Sequence, residues 1–446
     1  MIVLKFGGTS VANAERIKAV KDIIANSQSQ QAIVVSSALG KTTDLLIAAG
    51  KNALKGEANI DEVIKHHVQT TEELGIGTGS IKDLLAELSE LVSGIRQIKE
   101  ISNRTSDYLV SFGERMAVRI LAEYLSHCGI AAKAYDAWDL GIETFGEYQN
   151  AQLVPGAEES IAQKINDILK DTPHIPVVTG FIGKNAAGDI TTFGRGGSDL
   201  SATIIGAAIN AEEIQVWKDV DGLMTADPRV IKNALPVEEI SFEQAAELAY
   251  FGANVLHPLS MRPASMANIP VRVKNSYAPE AKGTLISSKV DFSDGLVKSI
   301  TRKSNITLID ICSLRALGAH GFLAKVFAVF EKYEIIVDVL ASSEVSISLT
   351  IEQENFPEDA VKELNQFARV TVLKQHSIVS MVCDANQSAR IMDNAFSKLA
   401  INNTNPKMIS QGASKINISF VFEAAESDAA LSTLHDCLLD LRTSAT

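Results

Sequence analysis

The sequence predicts an α/β fold: a central, mostly parallel sheet sandwiched by helices, followed by two small ferredoxin-like modules of βαββαβ order. Three observations carry this expectation. The chain opens as strand, glycine turn, helix, strand; short apolar strands recur between helical stretches as far as Trp217; and beyond about residue 300 the units shorten and one series of elements occurs twice. Alternating strands and helices favour parallel pairing, because a parallel pair needs a crossover long enough to hold a helix.

Ile2–Phe6 reads as a strand running into Gly7-Gly8-Thr9-Ser10. Val11 to Ile24 is expected to be a helix, with Val11, Ile17, Val20, Ile23 and Ile24 at helical spacing. Ala32–Val35 is a wholly apolar strand ending in Ser36-Ser37, and helical periodicity then dominates residues 50–125, as in Ile81–Ile98 and Glu114–Leu125. Ile175–Phe181 and Ile214–Trp217 read as buried strands, each followed by Gly- or Asp-rich turns. The stretch Ser276–Thr284, SYAPEAKGT, carries turn chemistry and places the main boundary between there and about residue 300. The first repeat is then strand Ile306–Ile311, helix Gly321–Tyr333, strands Ile335–Ala341 and Val345–Ile351, helix Pro357–Gln366 and strand Val370–Leu373. The second is strand Ser377–Cys383, helix Ser388–Ala400, strands Lys407–Ser410 and Ile416–Phe422, and helix Ser427–Leu441.

Composition narrows the function classes. With 446 residues, 46% apolar and 21% charged, the chain has core enough for two to four domains and is neither disordered nor a disulfide scaffold. Its 41 basic and 54 acidic side chains leave a net charge of −13, which excludes backbone-wide nucleic-acid binding but not a small basic pocket. Four scattered cysteines without a CxxC pair, and eight histidines without HxxxH spacing, give no zinc site. No apolar run approaches the ~18 residues that span a bilayer. MIVLKFGG reads as a strand rather than a leader, so the expectation is a soluble, cytoplasmic protein with reduced thiols and no membrane partner.

Chemistry concentrates in a few loops. In Lys5-Phe6-Gly7-Gly8 the lysine precedes the glycines, unlike a P-loop, yet two glycines let backbone N–H groups close on an anion while Lys5 adds charge. A tight strand-to-helix turn explains Gly-Gly equally well. Thr192-Phe193-Gly194-Arg195-Gly196-Gly197-Ser198-Asp199 is harder to explain as architecture, since Arg195 offers a fork for a carboxylate or phosphate among glycines that bare their N–H groups. A helix from Leu200 to Ala211 is expected to follow. Trp217 to Arg229 sets cations Lys218 and Arg229 beside Asp219, Asp221 and Asp227 after a strand, which suits a nucleotide with Mg²⁺. An EF-hand is excluded there by the missing glutamate. Ser111-Phe112-Gly113-Glu114-Arg115 precedes a helix in this reading, so Glu114 is either a site residue or an acid favoured at a helix start. Thr42-Thr43-Asp44 divides likewise between site and N-cap, and His257 reads as a packed, hydrogen-bonded residue. No nucleophile or general base is evident. Phosphoryl transfer to an acceptor already ionised at neutral pH needs neither, which points to a small-molecule kinase with an appended regulatory pair.

The motifs KFGGTS, VSFGER, TGFIG, TTFGRGGSD, VWKDVDGLMTADPR and ELAYFGANVLHP occur in order. With these the chain resembles the aspartokinases, members of the amino acid kinase family with C-terminal ACT domains, over essentially its whole length. SSALGKTT and IPVRVKNSY are most similar to the monofunctional, lysine-sensitive type. The resemblance implies an amino acid kinase fold over residues 1–290 and ACT domains over 300–375 and 376–446. It implies ATP- and Mg²⁺-dependent phosphorylation of the L-aspartate side chain, the first step towards lysine, threonine and methionine. Lys5, Phe6, Gly7 and Gly8 would hold the nucleotide's phosphates, with Lys5 neutralising the transferring group and Asp199 ordering the lysine and its loop. Thr43, Glu114, Arg195, Gly196, Gly197 and Ser198 would hold aspartate, Arg195 forking its α-carboxylate and Glu114 pairing with its ammonium. Lys218, Asp219, Met224, Arg229, Asn254 and Val255 would line the nucleotide. Lys218 stands where relatives commonly carry threonine, and Asn254 where lysine-sensitive bacterial enzymes often carry lysine. Ala316, Ala319, Phe322, Leu323, Val337, Asp338, Ser343 and Glu344 would bind an inhibitory amino acid, lysine foremost, at paired ACT domains of a homo-oligomer, dimer or tetramer.

Two rivals stand beside this reading. One is a kinase for another acceptor, such as glutamate, carbamate or a nucleoside monophosphate; FGRGGSD with SFGE and two ACT modules counts against it. The other is a catalytically silent amino-acid sensor, against which Lys5, Glu114, Arg195, Asp199 and Asp219 count. Effector binding is expected to shift the kinase lobes between open and closed.

Overall fold

Ile2–Phe6 and Ala32–Ser36 are buried at every position, as strands covered on both faces must be, and they pair in parallel. They lie inside the first of two units of a computed structural model that describes residues 1–27, 31–171, 174–252, 255–289, 295–313, 320–352, 356–412 and 416–443. The first unit comprises Met1–Leu223 and Val255–Lys289; the second comprises Met224–Asn254 and Val290–Thr446.

In the first unit the sheet runs Thr284–Ser287, Val271–Asn275, Glu213–Lys218, Ile2–Phe6, Ala32–Ser36, Ile175–Thr179, Ala132–Tyr135. The pair Thr284–Ser287 and Val271–Asn275 is antiparallel and the other neighbours are parallel. A cluster including Leu4, Phe6, Ile17, Val20, Ile24, Leu46, Phe112, Met116 and Ile120 fills the space between sheet and helices. Burying such side chains contributes about 1.5–3 kcal/mol each before entropy is counted.

Several elements start elsewhere than expected. Gly8–Val11 forms a 3₁₀ turn, and the helix proper is Ala14–Asn26, because the Asn13 side chain accepts the Arg16 N–H at 3.0 Å and caps it there. Ser102 caps a long helix, Asn103–His127, by accepting the Thr105 N–H, so Ser111–Arg115 lies within that helix and Glu114 is no helix-start acid. Thr42 is the first residue of helix Thr42–Leu54 and its hydroxyl donates back to the Leu39 carbonyl at 2.6 Å, so neither Thr42 nor Thr43 is an N-cap. The helix expected from Leu200 starts at Gly197, which brings Ser198 and Asp199 into its first turn. The strand Ile175–Thr179 ends before Phe181, which adopts φ = 68°.

The second unit holds one antiparallel sheet in the order Leu340–Ser342, Ser346–Ile351, Val297–Cys312, Arg369–Cys383, Asn417–Glu423, Met408–Ser410. The expected strands Val370–Leu373 and Ser377–Cys383 are one strand, bent where Gln375 takes φ = 60°; Val297–Cys312 bends similarly at Asn305, φ = 60°. Val297–Lys303 pairs with Ile378–Cys383 and supplies the second repeat with the final strand that its own sequence lacks. The second module is therefore not the contiguous stretch 376–446. Helices Phe322–Lys332 and Glu358–Leu364 share an apolar cluster with Ile309 and Ile311, and Ser388–Ile401 and Ser427–Thr443 share one with Val297 and Ile300.

Two further expectations differ. The strand Ile335–Ala341 is confined to Leu340–Ser342, because Glu334 at φ = 54° and the Ile335 N–H bonded to Phe330 close the preceding helix. Met224–Asn254, drawn with the kinase domain by the 1–290 boundary, groups with the second unit. Ala226 and Ile231 join the cluster of Ile300 and Val379, and the Thr225 carbonyl accepts the Ile300 N–H at 2.8 Å. No helix among the described residues is long and apolar enough to cross a membrane.

Candidate active site

Lys5 is the penultimate residue of the strand Ile2–Phe6 and is only 4% exposed. Its ammonium lies 2.5 Å from Oδ1 of Asp199, in the first turn of helix Gly197–Ala208. The other carboxylate oxygen of Asp199 is 3.0 Å from Nζ of Lys218, which also donates to the Val255 carbonyl. One carboxylate thus orders two ammonium groups and leaves the cluster with a net positive charge. Burial pulls the Lys5 ammonium below its usual range, opposed by Asp199. Burial pushes the Asp199 carboxyl up, but Lys5 and Lys218 outweigh it and hold the group ionised below its usual range.

This cluster borders a cavity of about 330 Å³ lined by Lys5, Gly8, Ser37, Ala38, Gly40, Thr43, Glu114, Phe181, Gly194, Gly196, Gly197, Ser198 and Asp199. It opens at the C-terminal ends of Ile2–Phe6 and Ala32–Ser36, where open α/β sheets bind ligands. Glu114 enters from the middle of Asn103–His127, 3% exposed, with Oε1 accepting the Ala38 N–H at 3.1 Å and Oε2 buried without a partner. Burial raises its carboxyl to about 8, against the opposing pull of the Ala38 N–H and Lys5, so at neutral pH it carries a proton. Of the two loop glycines, Gly8 is the crowded one: a Cβ there would lie 3.1 Å from the carbonyl oxygens of both Ala38 and Gly40, whereas one on Gly7 would meet nothing nearer than 3.6 Å.

The remaining sequence-predicted residues divide. Thr43, Gly196, Gly197 and Ser198 line the cavity, whereas Arg195 between them is exposed, is not part of the lining and engages no carboxylate among the described residues. Phe6 is turned into the core, stacked on Trp217 with centroids 6.1 Å apart, and the Gly7 N–H donates to the Trp217 carbonyl at 3.1 Å rather than standing ready for an anion. Asp219 is exposed beyond the strand end, and Val255 takes part through its carbonyl. Met224 and Arg229 belong to the second unit, where Arg229 is largely exposed and paired with Asp227 at 2.8 Å. Asn254 lies outside the described residues. His257 packs its Cβ against Gly196, and its Nδ1 has no hydrogen-bond partner, unlike the hydrogen-bonded residue expected.

Among the effector candidates, Phe322 and Leu323 open the helix Phe322–Lys332 and Leu323 is exposed. Oδ1 of Asp338 accepts from Lys303 Nζ at 2.7 Å and from the Tyr250 hydroxyl at 2.9 Å, while Oδ2 is buried without a partner. Asp338 is thus already paired with an internal ammonium. Val337 is half-buried beside it, Ser343 bonds Ser346 across a turn with their hydroxyls 2.8 Å apart, and Glu344 is exposed. Ala316 and Ala319 lie outside the described residues.

The motif reading passed over Ser37, Ala38, Gly40 and Phe181 as cavity walls, although SSALG directly after a strand end was signal enough for the first three. Phe181 falls within the TGFIG motif, which carried no site role in the sequence, and it reaches the site through a left-handed backbone conformation.

Comparisons with known proteins place the chain in a class. The amino acid kinase family model matches residues 1–275 and an ACT domain model matches residues 381–438. Aspartokinase 1, chloroplastic, of Arabidopsis thaliana is 46% identical over 450 residues, covering 97% of this chain and 79% of that protein. The crystal structure of Escherichia coli aspartokinase III in complex with aspartate and ADP (R-state) superposes with a TM-score of 0.80 at 30% identity, covering 98% of this chain and 100% of the other. The same protein in complex with lysine and aspartate (T-state) gives a TM-score of 0.79 at 31% identity, covering 98% and 99%. The chain belongs to the aspartokinase family.

Proposed function

We propose that this chain transfers the γ-phosphoryl group of ATP to the side-chain carboxylate of L-aspartate, giving 4-phospho-L-aspartate and ADP. The observation that carries the reading is the buried Lys5–Asp199 pair, braced by Lys218, on the wall of a cavity that Glu114 also enters. The acceptor oxygen bonds to phosphorus as the bond from phosphorus to the ADP leaving oxygen breaks. The acceptor is a carboxylate at neutral pH, so no residue has to remove a proton from it. What the reaction needs is charge stabilisation and alignment. Lys5 supplies the first, held in place by Asp199 so that its ammonium need not reorient as charge moves to the leaving oxygen. Glu114 receives the ammonium of aspartate through its unpartnered oxygen, its own proton passing to solvent as the ion pair forms. Arg195 swings in from the rim to grip the α-carboxylate, while Thr43, Gly196, Gly197 and Ser198 shape the subsite.

Lys218 and Asp219, together at the end of Glu213–Lys218, flank the nucleotide. Mg²⁺ fits here as an ion carried on the nucleotide's phosphates, since it keeps several waters and takes few protein ligands.

Lysine is the inhibitory amino acid in this reading, bound near Asp338 in the second unit, and the chain works as a homo-oligomer through its ACT modules. The lysine complex of the E. coli relative supports the effector, and the partnerless Oδ2 of Asp338 supports the place. Four free cysteines suit a cytoplasmic setting. ADP release should be followed with ATP and Mg²⁺ against aspartate and glutamate, each with and without lysine. Release with aspartate alone, suppressed by lysine, is expected. Equal release with glutamate would overturn the acceptor, and indifference to saturating lysine would overturn the effector.

A further inference from the structure

Asp107 is 1% exposed and touches neither the cavity nor any charged partner, yet it is among the most heavily used carboxylates in the first unit. Its Oδ2 accepts the Gln149 N–H at 2.9 Å and the Thr192 N–H at 3.0 Å, and its Oδ1 accepts the Thr192 hydroxyl at 3.0 Å. Thr192 is the last residue of strand Ile190–Thr192, immediately before the Phe193–Asp199 loop. Gln149 adopts φ = 68°, a left-handed conformation that costs a non-glycine residue about 1–3 kcal/mol unless its surroundings hold it. Its carbonyl oxygen lies where the loop turns at Gly194, itself at φ = 73°, so closely that a Cβ on Gly194 would sit 2.8 Å from it. The carboxylate of Asp107 therefore secures both the root of the loop and the peptide over which it bends.

The same helix, Asn103–His127, presents Glu114 seven residues further on, close to two turns away and so on the same face. Glu114 holds the opposite wall through the Ala38 N–H. One rigid helix thus sets the separation between the two walls of the cavity. We propose that Asp107 is a positioning residue for the aspartate subsite: by fixing Thr192 and Gln149 it sets the height of the Gly194–Asp199 loop against Glu114. The proposal rests on the reading of that loop as the aspartate subsite. A carboxylate makes all three of these bonds charge-assisted, roughly twice as strong as neutral ones. An asparagine of the same shape can keep its Oδ1 on the two N–H groups and turn its NH₂ to the Thr192 hydroxyl, which also accepts, so the variant weakens the whole set of contacts without leaving one unpaired.

The test uses the full chain with Asp107→Asn, Thr192→Val and Arg195→Ala, measuring kcat and KM for aspartate and for ATP, with active-site titration to count competent enzyme. Thr192→Val removes the hydroxyl bond and keeps both backbone bonds. Asp107→Asn is expected to raise the aspartate KM at least tenfold and Thr192→Val about threefold, with the ATP KM within twofold in both. If Asp107→Asn does not fold, Thr192→Val decides alone by the same criterion. An aspartate KM within twofold of the parent in the folded variants, or equal rises for aspartate and ATP, overturns the positioning role, as does a fall confined to the number of competent sites. Arg195→Ala separates the premise from the proposal. An unchanged aspartate KM there overturns the loop reading and the positioning role with it. A raised one beside an unaffected Asp107→Asn overturns the positioning role alone.

Discussion

Replacing Asp199 with Asn removes one charge and almost no volume from between two ammonium groups. The lost contacts are 2.5 Å to Lys5 and 3.0 Å to Lys218, at a side chain only 7% exposed. Removing one partner of a buried ion pair costs about 3–5 kcal/mol, because the remaining charge stays out of water. At about 2–4 °C per kcal/mol for a domain of this size, the first unit should melt roughly 6–20 °C lower at pH 7. The pH dependence identifies the cause. The Lys5 ammonium is already pulled below its usual 10.5 by burial, and losing Asp199 pulls it further. A base depressed in the folded state binds fewer protons there than in the unfolded chain, so its contribution to stability rises with pH through that window. The melting gap between parent and Asp199→Asn should therefore narrow from pH 7 towards pH 10, and kcat of the variant should fall as Lys5 loses its proton. Thermal unfolding at pH 7, 8, 9 and 10 reads the first effect and ADP release the second. A melting temperature within 2 °C of the parent at pH 7, or a gap that does not change with pH, refutes the reasoning.

Glu114→Gln should abolish a pH dependence. With its carboxyl raised to about 8, the native protein holds a proton that the unfolded chain releases near pH 4.5. The unliganded parent should thus lose stability between those values, by at most about 1.4 kcal/mol per pH unit, and the variant should not. Calorimetric titration should likewise show aspartate affinity of the parent rising from pH 6.5 to 8.5, with weak, pH-independent binding to the variant. Gly8→Ala places a methyl 3.1 Å from two backbone carbonyls that cannot swing aside, and should cost about 1–3 kcal/mol in a thermal melt together with a raised ATP KM. Asp338→Asn should weaken lysine inhibition at least tenfold while leaving turnover without lysine unchanged, as an inhibition curve would show.

The parts of the fold legible in the sequence were those set by local patterning. Ile2–Phe6, Ala32–Ser36 and Ser388–Ile401 fall within a residue of their apolar runs, because a buried strand or amphipathic helix must carry that pattern. Elements decided by partners far along the chain were not legible. Val297–Lys303 closes the second module only because Ile378–Cys383 offers it an edge, and the bends at Asn305 and Gln375 rest on positive φ values at residues with no glycine to announce them. The site divides in the same way. Lys5, Glu114 and Asp199 were found through motifs, whereas the engagement of the Gly7 N–H by Trp217 and the grip of Asp107 on Gln149 and Thr192 depend on chain approaches over tens to hundreds of residues. The long helix Asn103–His127 misled for a simpler reason. Its first two turns carry Asn, Arg, Thr, Ser and Asp, residues that suit loops as well as helices, and its cap at Ser102 is visible only once the Thr105 N–H is seen to point at it.

The claim at the centre of the account is that Lys5, held by Asp199, stabilises phosphoryl transfer to aspartate. Its most direct test is a single turnover of Mg²⁺ and radiolabelled ATP with excess enzyme, the acyl phosphate trapped by hydroxylamine, in the parent and in Lys5→Met. The account predicts aspartyl hydroxamate from the parent in step with ADP, and a rate lowered roughly 10²–10³-fold in Lys5→Met, with aspartate affinity within threefold. Hydroxamate formed by Lys5→Met at the parent's rate, or a defect cured by raising aspartate, would contradict it.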